Sequence, residues 1–281
     1  MIMTIDDIDF AQLYRDHLAQ AERTRKDPEH WDKRAEKMAQ NCANPADPYL
    51  IRFKEIVDTT GAETLLDVGC GPGSVALQLA DSFDQVTGID YSEGMLKVAR
   101  QRAQTQGCSH VTFRHCAWED DWSALPPCDI AVASRSTLVM DLQAALLKLN
   151  RHARLRVYTT HTVSPTFVDI RVIRAIGRKP VTLPTYIYAV NILNQLGIHP
   201  DVEFIRSPNC QSRDNMTFEQ FADGVVWSLG QLDNHEMTLL RRYYDKQAAD
   251  GLPVVPATRD WAMVSWSVVP ESALLLPGGQ K

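Results

Sequence analysis

The sequence predicts an α/β fold in which a mostly parallel sheet carries helices on both faces. Three observations predict it. From residue 64 onward, short apolar runs alternate with stretches of helical periodicity, the pattern of a doubly covered sheet. One run, Thr64-Leu65-Leu66-Asp67-Val68, leads into Gly69-Cys70-Gly71-Pro72-Gly73. Three glycines at alternate positions describe a strand turning sharply into a helix, with no Cβ atoms to hold a ligand off the backbone. A second run, Val86-Thr87-Gly88-Ile89, ends at Asp90, roughly 20 residues on, where an acidic side chain can take both hydroxyls of a ribose.

The elements follow in order. Residues 8 to 24 put Ile8, Phe10, Leu13, Tyr14, His17 and Leu18 on one helical face. A second helix covers residues 30–38 before Asn41-Cys42-Ala43-Asn44-Pro45 breaks it. Strands are expected at 64–68, 85–90, 110–116, 129–134, 154–160, 201–206 and 262–269, with helices at about 74–83, 92–106, 138–149, 167–176 and 185–196. The first amides of the helix after the glycine turn would face an anionic or polar group above it. Between the sixth and seventh strands, Thr217-Phe218-Glu219-Gln220 is a capping box opening a helix that carries Phe218, Phe221, Val225 and Leu229. Asp233-Asn234-His235-Glu236 starts another, with Met237, Leu240 and Tyr244 on a stripe. This insertion reads as a lid over a pocket, with a dimer face as the alternative.

A similar glycine cradle serves dinucleotides, and Gly71-Pro72-Gly73-Ser74-Val75-Ala76 fits G-x-G-x-x-A. Asp67, two residues before the first glycine, argues otherwise, since a buried carboxylate facing a pyrophosphate would be repelled. The run Asp67-Val68-Gly69-Cys70-Gly71-Pro72-Gly73 resembles the first motif of the class I S-adenosylmethionine-dependent methyltransferases. Gly88-Ile89-Asp90-Tyr91-Ser92-Glu93-Gly94-Met95-Leu96 resembles the second, and Cys116-Ala117-Trp118-Glu119-Asp120 the loop that closes over adenine. The resemblance spans about residues 64 to 161.

That resemblance implies S-adenosylmethionine as cofactor, with S-adenosylhomocysteine as product. It implies a Rossmann-like sheet of order 3-2-1-4-5-7-6, its last strand antiparallel. Asp67 would lie near the cofactor's ammonium, with Gly69, Cys70, Gly71 and Gly73 forming the turn. Asp90 would hold the ribose, Tyr91 and Met95 would flank the adenosine, and Ala117, Trp118 and Glu119 would close over the adenine. Trp31 would occupy the place of an N-terminal aromatic segment near the sulfonium. Ser134 would border the transferred methyl at the end of the fourth strand, with Arg135 beside it.

Catalysis by methyl transfer needs alignment first, worth on the order of 7–11 kcal/mol in well-oriented systems, and a base only when the acceptor must lose a proton. His161, at the productive end of the fifth strand, is the candidate base, with Arg135 the second candidate catalytic residue. Tyr186 and Tyr188 are candidates for the acceptor pocket or for contact with a cationic sulfonium. Ser134-Arg135-Ser136-Thr137 is not the Asn-Pro-Pro-Tyr or Asp-Pro-Pro-Tyr turn of many amide and adenine N-methyltransferases. Pro127-Cys128 evokes the nucleophile of cytosine C5 methyltransferases, but Cys128 precedes the fourth strand and so lies at the wrong end of the sheet.

Composition narrows the function. The 281 residues, 44% apolar, suit one methyltransferase domain: a helical cap over 1–58, a cofactor-binding core over 59–161 and an acceptor side over 162–281. No apolar run reaches membrane-spanning length and the N-terminus is acidic, so a cytoplasmic protein without membrane partners is expected. The six cysteines form no C-x-x-C pair, and no metal site is encoded at a known spacing. The net charge of −6 disfavours a general nucleic-acid binder. Residues 151–213 nevertheless hold nine basic side chains against three acidic ones. A solvated surface or a seat for an anionic acceptor both fit. The expected function is methyl transfer to a small molecule, anionic on the second of those readings. Methylation of tRNA or rRNA and a non-catalytic S-adenosylmethionine-binding module are the alternatives, and a dimer is compatible with the insertion.

Overall fold

Seven strands form one sheet in the order β3-β2-β1-β4-β5-β7-β6. A computed structural model describes residues 4–21, 27–208, 216–256 and 258–275. Helices α1 (Phe10–Gln20), α2 (Pro28–Asp32), α3 (Ala35–Cys42) and α4 (Pro48–Ile56) precede β1 (Thr64–Val68). Then come α5 (Ser74–Leu79), β2 (Gln85–Asp90), α6 (Glu93–Thr105), β3 (Val111–His115), β4 (Cys128–Ala133), α7 (Leu142–His152) and β5 (Ala153–Thr162). The chain closes with α8 (Ile170–Ala175), α9 (Tyr186–Gln195), β6 (Asp201–Pro208), α10 (Phe218–Leu229), α11 (Asn234–Ala249) and β7 (Thr258–Ser267). Strands β1 to β5 pair in parallel, whereas β7 runs antiparallel to both β5 and β6.

Strand β4 is buried end to end, and β2 at every position after Gln85, because both faces of the sheet are covered. Side chains alternate between two cores. Leu66, Ala131 and Ala133 point toward α1, α7 and α9, while Leu65, Ile130 and Val132 point toward α4, α5 and α6. Helices α10 and α11 build a third apolar cluster, in which Phe221, Val225 and Leu240 meet Val172 and Ile176. The bidentate Arg178–Glu236 pair, at 2.5 and 2.8 Å, ties the start of α11 to the end of α8, and it holds the Glu236 carboxyl down at about 2.

Several boundaries differ from expectation for local reasons. The helix expected over 30–38 is two, because Asp27 and Pro28 start α2 at its own cap and the chain turns before α3. The helix expected from 138 starts at Leu142, where the Asp141 side chain accepts from the Ala144 amide. Helix α4 was not anticipated, although Asp47 caps it and Pro48 fills its first position. Residues 22–24 of the first expected helix lie outside the described residues. Among the described residues, no helix is long and apolar enough to cross a membrane, and no group of three metal-binding side chains occurs.

Candidate active site

The turn after β1 is held to β2 by the Gly69 and Cys70 amides, which donate to the Ile89 carbonyl at 2.8 and 3.0 Å. Gly69 has φ +67°, and a Cβ there would stand 2.4 Å from Ser136 Cβ. That contact belongs to the loop after β4, whose Ser136 hydroxyl donates to the Val68 carbonyl at 2.7 Å. Gly71 is different: at φ +53°, a Cβ would meet nothing within 4 Å. The protein's own packing leaves that surface bare, as a close-approaching ligand requires.

Asp67 is 1% exposed. Its Oδ2 accepts from the Ala76 amide at 3.0 Å, while Oδ1 is buried without a hydrogen-bond partner. Burial, aided by the neighbouring Asp90 charge, pushes its pKa up to about 7. A buried carboxylate oxygen lacking a donor is costly, and a cationic or N–H-bearing ligand relieves it. Asp90 accepts from the Gly71 amide at 2.8 Å and from the Ser92 amide at 2.9 Å, and burial raises its pKa.

Ser92 caps α6 and also donates to Asp32 Oδ1 at 2.6 Å. The Gly94 amide donates to the same oxygen at 2.8 Å. The N-terminal helices are thereby fastened to the turn after Asp90. Tyr91 accepts from His115 Nε2 through its carbonyl at 3.0 Å, and Met95 is buried on the same turn. In the loop after β3, the Ala117 amide donates to Asp120 Oδ2 at 2.8 Å and Trp118 lies against Trp122 at 5.7 Å. The Trp118 indole N–H is buried and lacks a hydrogen-bond partner, whereas Glu119 is exposed.

At the end of β4 the buried Tyr49 hydroxyl bonds Ser134 Oγ at 2.7 Å and Thr160 Oγ1 at 2.9 Å. Thr160 Oγ1 also accepts from the Arg135 amide at 2.9 Å. Arg135 has φ +57°, the one positive value outside glycine among the described residues, and its guanidinium lies 4.3 Å from the Tyr49 ring centroid. Strain of this kind persists where surrounding contacts over-determine it.

A cavity of about 740 Å³ opens beyond the carboxyl ends of β5 and the antiparallel start of β7. Trp31, Arg34, Lys37 and Met38 wall one side, residues 163–172 another, and α10 contributes Gln220, Phe221, Asp223, Val225 and Trp227. His30 stacks on the Trp227 indole at 3.7 Å, and the Arg34 guanidinium lies 3.3 Å from the same centroid. The cap and α10 are therefore joined across the cavity's rim. The glycine turn does not line this cavity; Asp32, next to the lining residue Trp31, bonds Ser92 and Gly94 in the turn after Asp90.

Comparison with known proteins agrees with this architecture. Residues 65–155 match the family described as "Methyltransferase domain". This chain belongs to the class I S-adenosylmethionine-dependent methyltransferases. A Haemophilus influenzae protein described as uncharacterized is 38% identical over 267 residues, covering 95% of this chain and 99% of that one. Trans-aconitate 2-methyltransferase of Streptomyces coelicolor is 41% identical over 73 residues, a quarter of this chain (25%) and 24% of its own length. Among solved structures, Haemonchus contortus phosphoethanolamine N-methyltransferase 2, in complex with phosphomonomethylethanolamine and S-adenosylhomocysteine, aligns with TM-score 0.53 at 20% identity, covering 92% of this chain and 61% of that one.

S-Adenosylmethionine is the methyltransferase's cofactor, and the orphaned Asp67 oxygen, the bare Gly71 surface and the unpartnered Trp118 N–H fit it. The structure brings Asp67, Gly69, Cys70, Gly71, Gly73, Asp90, Tyr91 and Met95 to one crevice at the β1–β4 switch point. Ser134 lies there too, with its hydroxyl bonded to Tyr49.

Other expected residues sit elsewhere. His161 is 6% exposed, with Nδ1 on Thr137 Oγ1 at 3.1 Å and Nε2 on Thr159 Oγ1 at 2.9 Å. Burial lowers its pKa to about 3, so it is a neutral strut beneath the β4 loop and not a base facing the cavity. Tyr188 bonds His17 at 2.9 Å and packs on Tyr14, and Tyr186 packs on Phe204, so neither lines the cavity. Cys128 is buried beside the His152 carbonyl, its thiol pushed up to about 12 by burial. In the 151–213 segment, Arg151, Arg154, Arg156, Arg171, Arg178 and Arg206 each pair with an acid. Arg213 and Cys210 lie outside the described residues. Sequence reasoning missed Tyr49, Asp32, Arg34 and Trp227. The Asp47-Pro48 helix start carried a signal for the first of these.

Proposed function

We propose that this methyltransferase acts on a small molecule held in the cavity between the cap, the segment after β5 and α10. The reading also takes the whole chain, 1–281, as one methyltransferase domain, with α10 and α11 as lid. The observation that supports it best is the joining of cap and lid around Trp227 over a volume of about 740 Å³, within the usual range for small-molecule sites. Bound S-adenosylmethionine would supply an electrophilic methyl group on a sulfonium. Asp67 would hold its ammonium, Asp90 its ribose hydroxyls, and Tyr91, Met95 and Trp118 its adenosine. Tyr49 and Thr160 hold Ser134 and the Arg135 backbone beside the acceptor's approach. The His30–Trp227–Arg34 stack keeps water from the path between cavity and crevice. Alignment and water exclusion are then the main contributions of the chain to rate, and no protein base is assigned.

RNA as acceptor has weaker support. Arg151, in the last turn of α7, and Arg154 and Arg156, at the amino end of β5, stand away from the crevice, and each is already ion-paired. Incubating the enzyme with methyl-labelled S-adenosylmethionine and cell extract, then separating products by size, tests the reading. Label in the low-mass fraction is expected. Label confined to RNA or protein would overturn it.

A further inference from the structure

Resting on that reading, we infer that Arg135 seats the α-carboxylate of S-adenosylmethionine, so that the zwitterionic end of the cofactor is held between the Asp67 carboxylate and the guanidinium at the end of β4. Arg135 is half-buried, just past the β4 residues that pair with β1. Its neighbour Ser136 reaches the glycine turn: the hydroxyl donates to the Val68 carbonyl at 2.7 Å, and the Cβ fills the space beside Gly69. The Arg135 backbone thus stands one residue from a contact with the chain just after Asp67. Tyr49 fixes the rest. Thr160, bonded to the Tyr49 hydroxyl, accepts from the Arg135 amide at 2.9 Å, and the guanidinium carbon lies 4.3 Å from the Tyr49 ring centroid. A guanidinium over an aromatic face keeps its N–H donors at its rim, open to a ligand. Among the described residues, the Arg135 side chain has no ion pair and no hydrogen bond.

A ligand carboxylate needs such a cation here, because an anion arriving beside Asp67 and Asp90 is otherwise repelled. Burial raises the pKa of Asp67 and of Tyr49, and the Arg135 charge opposes both rises, so the three groups share one field. The orphaned Asp67 oxygen takes the ammonium. The carboxylate on the same carbon then falls to the unpaired guanidinium, whose fork matches it. Arg135 is absent from the walls of the acceptor cavity, and a guanidinium has no acceptor atom with which to serve as a base. Its φ of +57° fits the same role. Glycine would sit there without strain, yet the position carries a long cationic side chain.

The test is calorimetric titration of full-length protein stripped of cofactor with three nucleosides: S-adenosylhomocysteine, its decarboxylated analogue S-adenosyl-3-thiopropylamine, and 5′-methylthioadenosine, which lacks the amino-acid portion. Wild type is expected to bind S-adenosylhomocysteine about tenfold or more tightly than the decarboxylated amine. With Asp67 and Asp90 acting alone, the amine would bind as tightly or better. Arg135→Gln and Arg135→Gly should each erase that preference and leave 5′-methylthioadenosine affinity unchanged, while Arg135→Lys should retain part of it. Arg135→Gly accepts the positive φ without strain and should melt near wild type, which separates lost binding from misfolding. No preference in wild type, a preference untouched by the Gln and Gly variants, or an equal loss of 5′-methylthioadenosine affinity would overturn the inference. Failure of all three nucleosides to bind folded wild-type protein would instead sink the reading on which it rests.

Discussion

Asp32 accepts a 2.6 Å hydrogen bond from the Ser92 hydroxyl, which fastens the N-terminal cap to the residue that starts α6, two positions after Asp90. The cap is therefore built against the cofactor crevice, and a Cβ at Gly94 would stand only 2.7 Å from the Asp32 backbone. On the proposed reading, the cofactor and acceptor sites would share this contact.

Asp32→Ala should cost about 1 kcal/mol of stability, the usual scale for a group lost at a helix N-terminus. It should also weaken both S-adenosylhomocysteine binding and acceptor KM. Melting curves and titrations on one preparation check this; an effect on stability alone would mean that the contact is only structural.

Gly69→Ala and Gly71→Ala should separate packing from ligand approach. Both need a positive φ, at about 1–2 kcal/mol for a residue with a Cβ. Only the first also drives a methyl into Ser136, adding about 1–3 kcal/mol of overpacking. Gly71→Ala should therefore melt closer to wild type while losing cofactor affinity. Parallel thermal melts with and without S-adenosylmethionine compare them.

Trp227→Ala removes the stacking of His30 and Arg34 together, contacts worth about 1–2 kcal/mol at partly exposed sites. Acceptor KM should rise, with S-adenosylhomocysteine affinity retained. Steady-state kinetics beside calorimetry tests it, and an unchanged KM would count against α10 as a lid.

Asp67 and His161 give opposite pH dependences. The folded-state pKa of Asp67 is raised from 3.8 to about 7, so its contribution favours the ligand-free fold at low pH and is lost as pH rises toward 7. An ammonium at Oδ1 favours the carboxylate, hence cofactor binding should release a proton and tighten between about pH 6 and 8. Titrations in buffers of different ionisation enthalpy read that proton, and Asp67→Asn should abolish the release. The pKa of His161 is lowered from 6.5 to about 3. Its contribution is present above pH 6.5 and is lost as pH falls toward 3. The rate profile should have no His161 limb near neutrality.

The strand order and the crevice were legible because their signals are local. Asp67, the glycines and Asp90 lie within one β-α-β unit, and apolar runs mark each buried strand. Position in space was not local. Nothing in Val157-Tyr158-Thr159-Thr160-His161 reveals that the imidazole would be enclosed by two threonine hydroxyls, or that Tyr188 would meet His17 from a helix 171 residues away in sequence. The cavity's aromatic lining joins Trp31, Phe167 and Trp227 from three distant segments, and side chains that meet only through tertiary packing leave no periodic trace.

The most direct test is the melting temperature of wild-type protein stripped of bound cofactor, with S-adenosylmethionine, S-adenosylhomocysteine or NAD added separately. The sulfur nucleosides alone should stabilise it, by about 2.7 kcal/mol at a hundredfold excess over the dissociation constant. No shift with either, in protein shown to be folded and empty, would contradict the assignment of the Asp67–Asp90 crevice to S-adenosylmethionine.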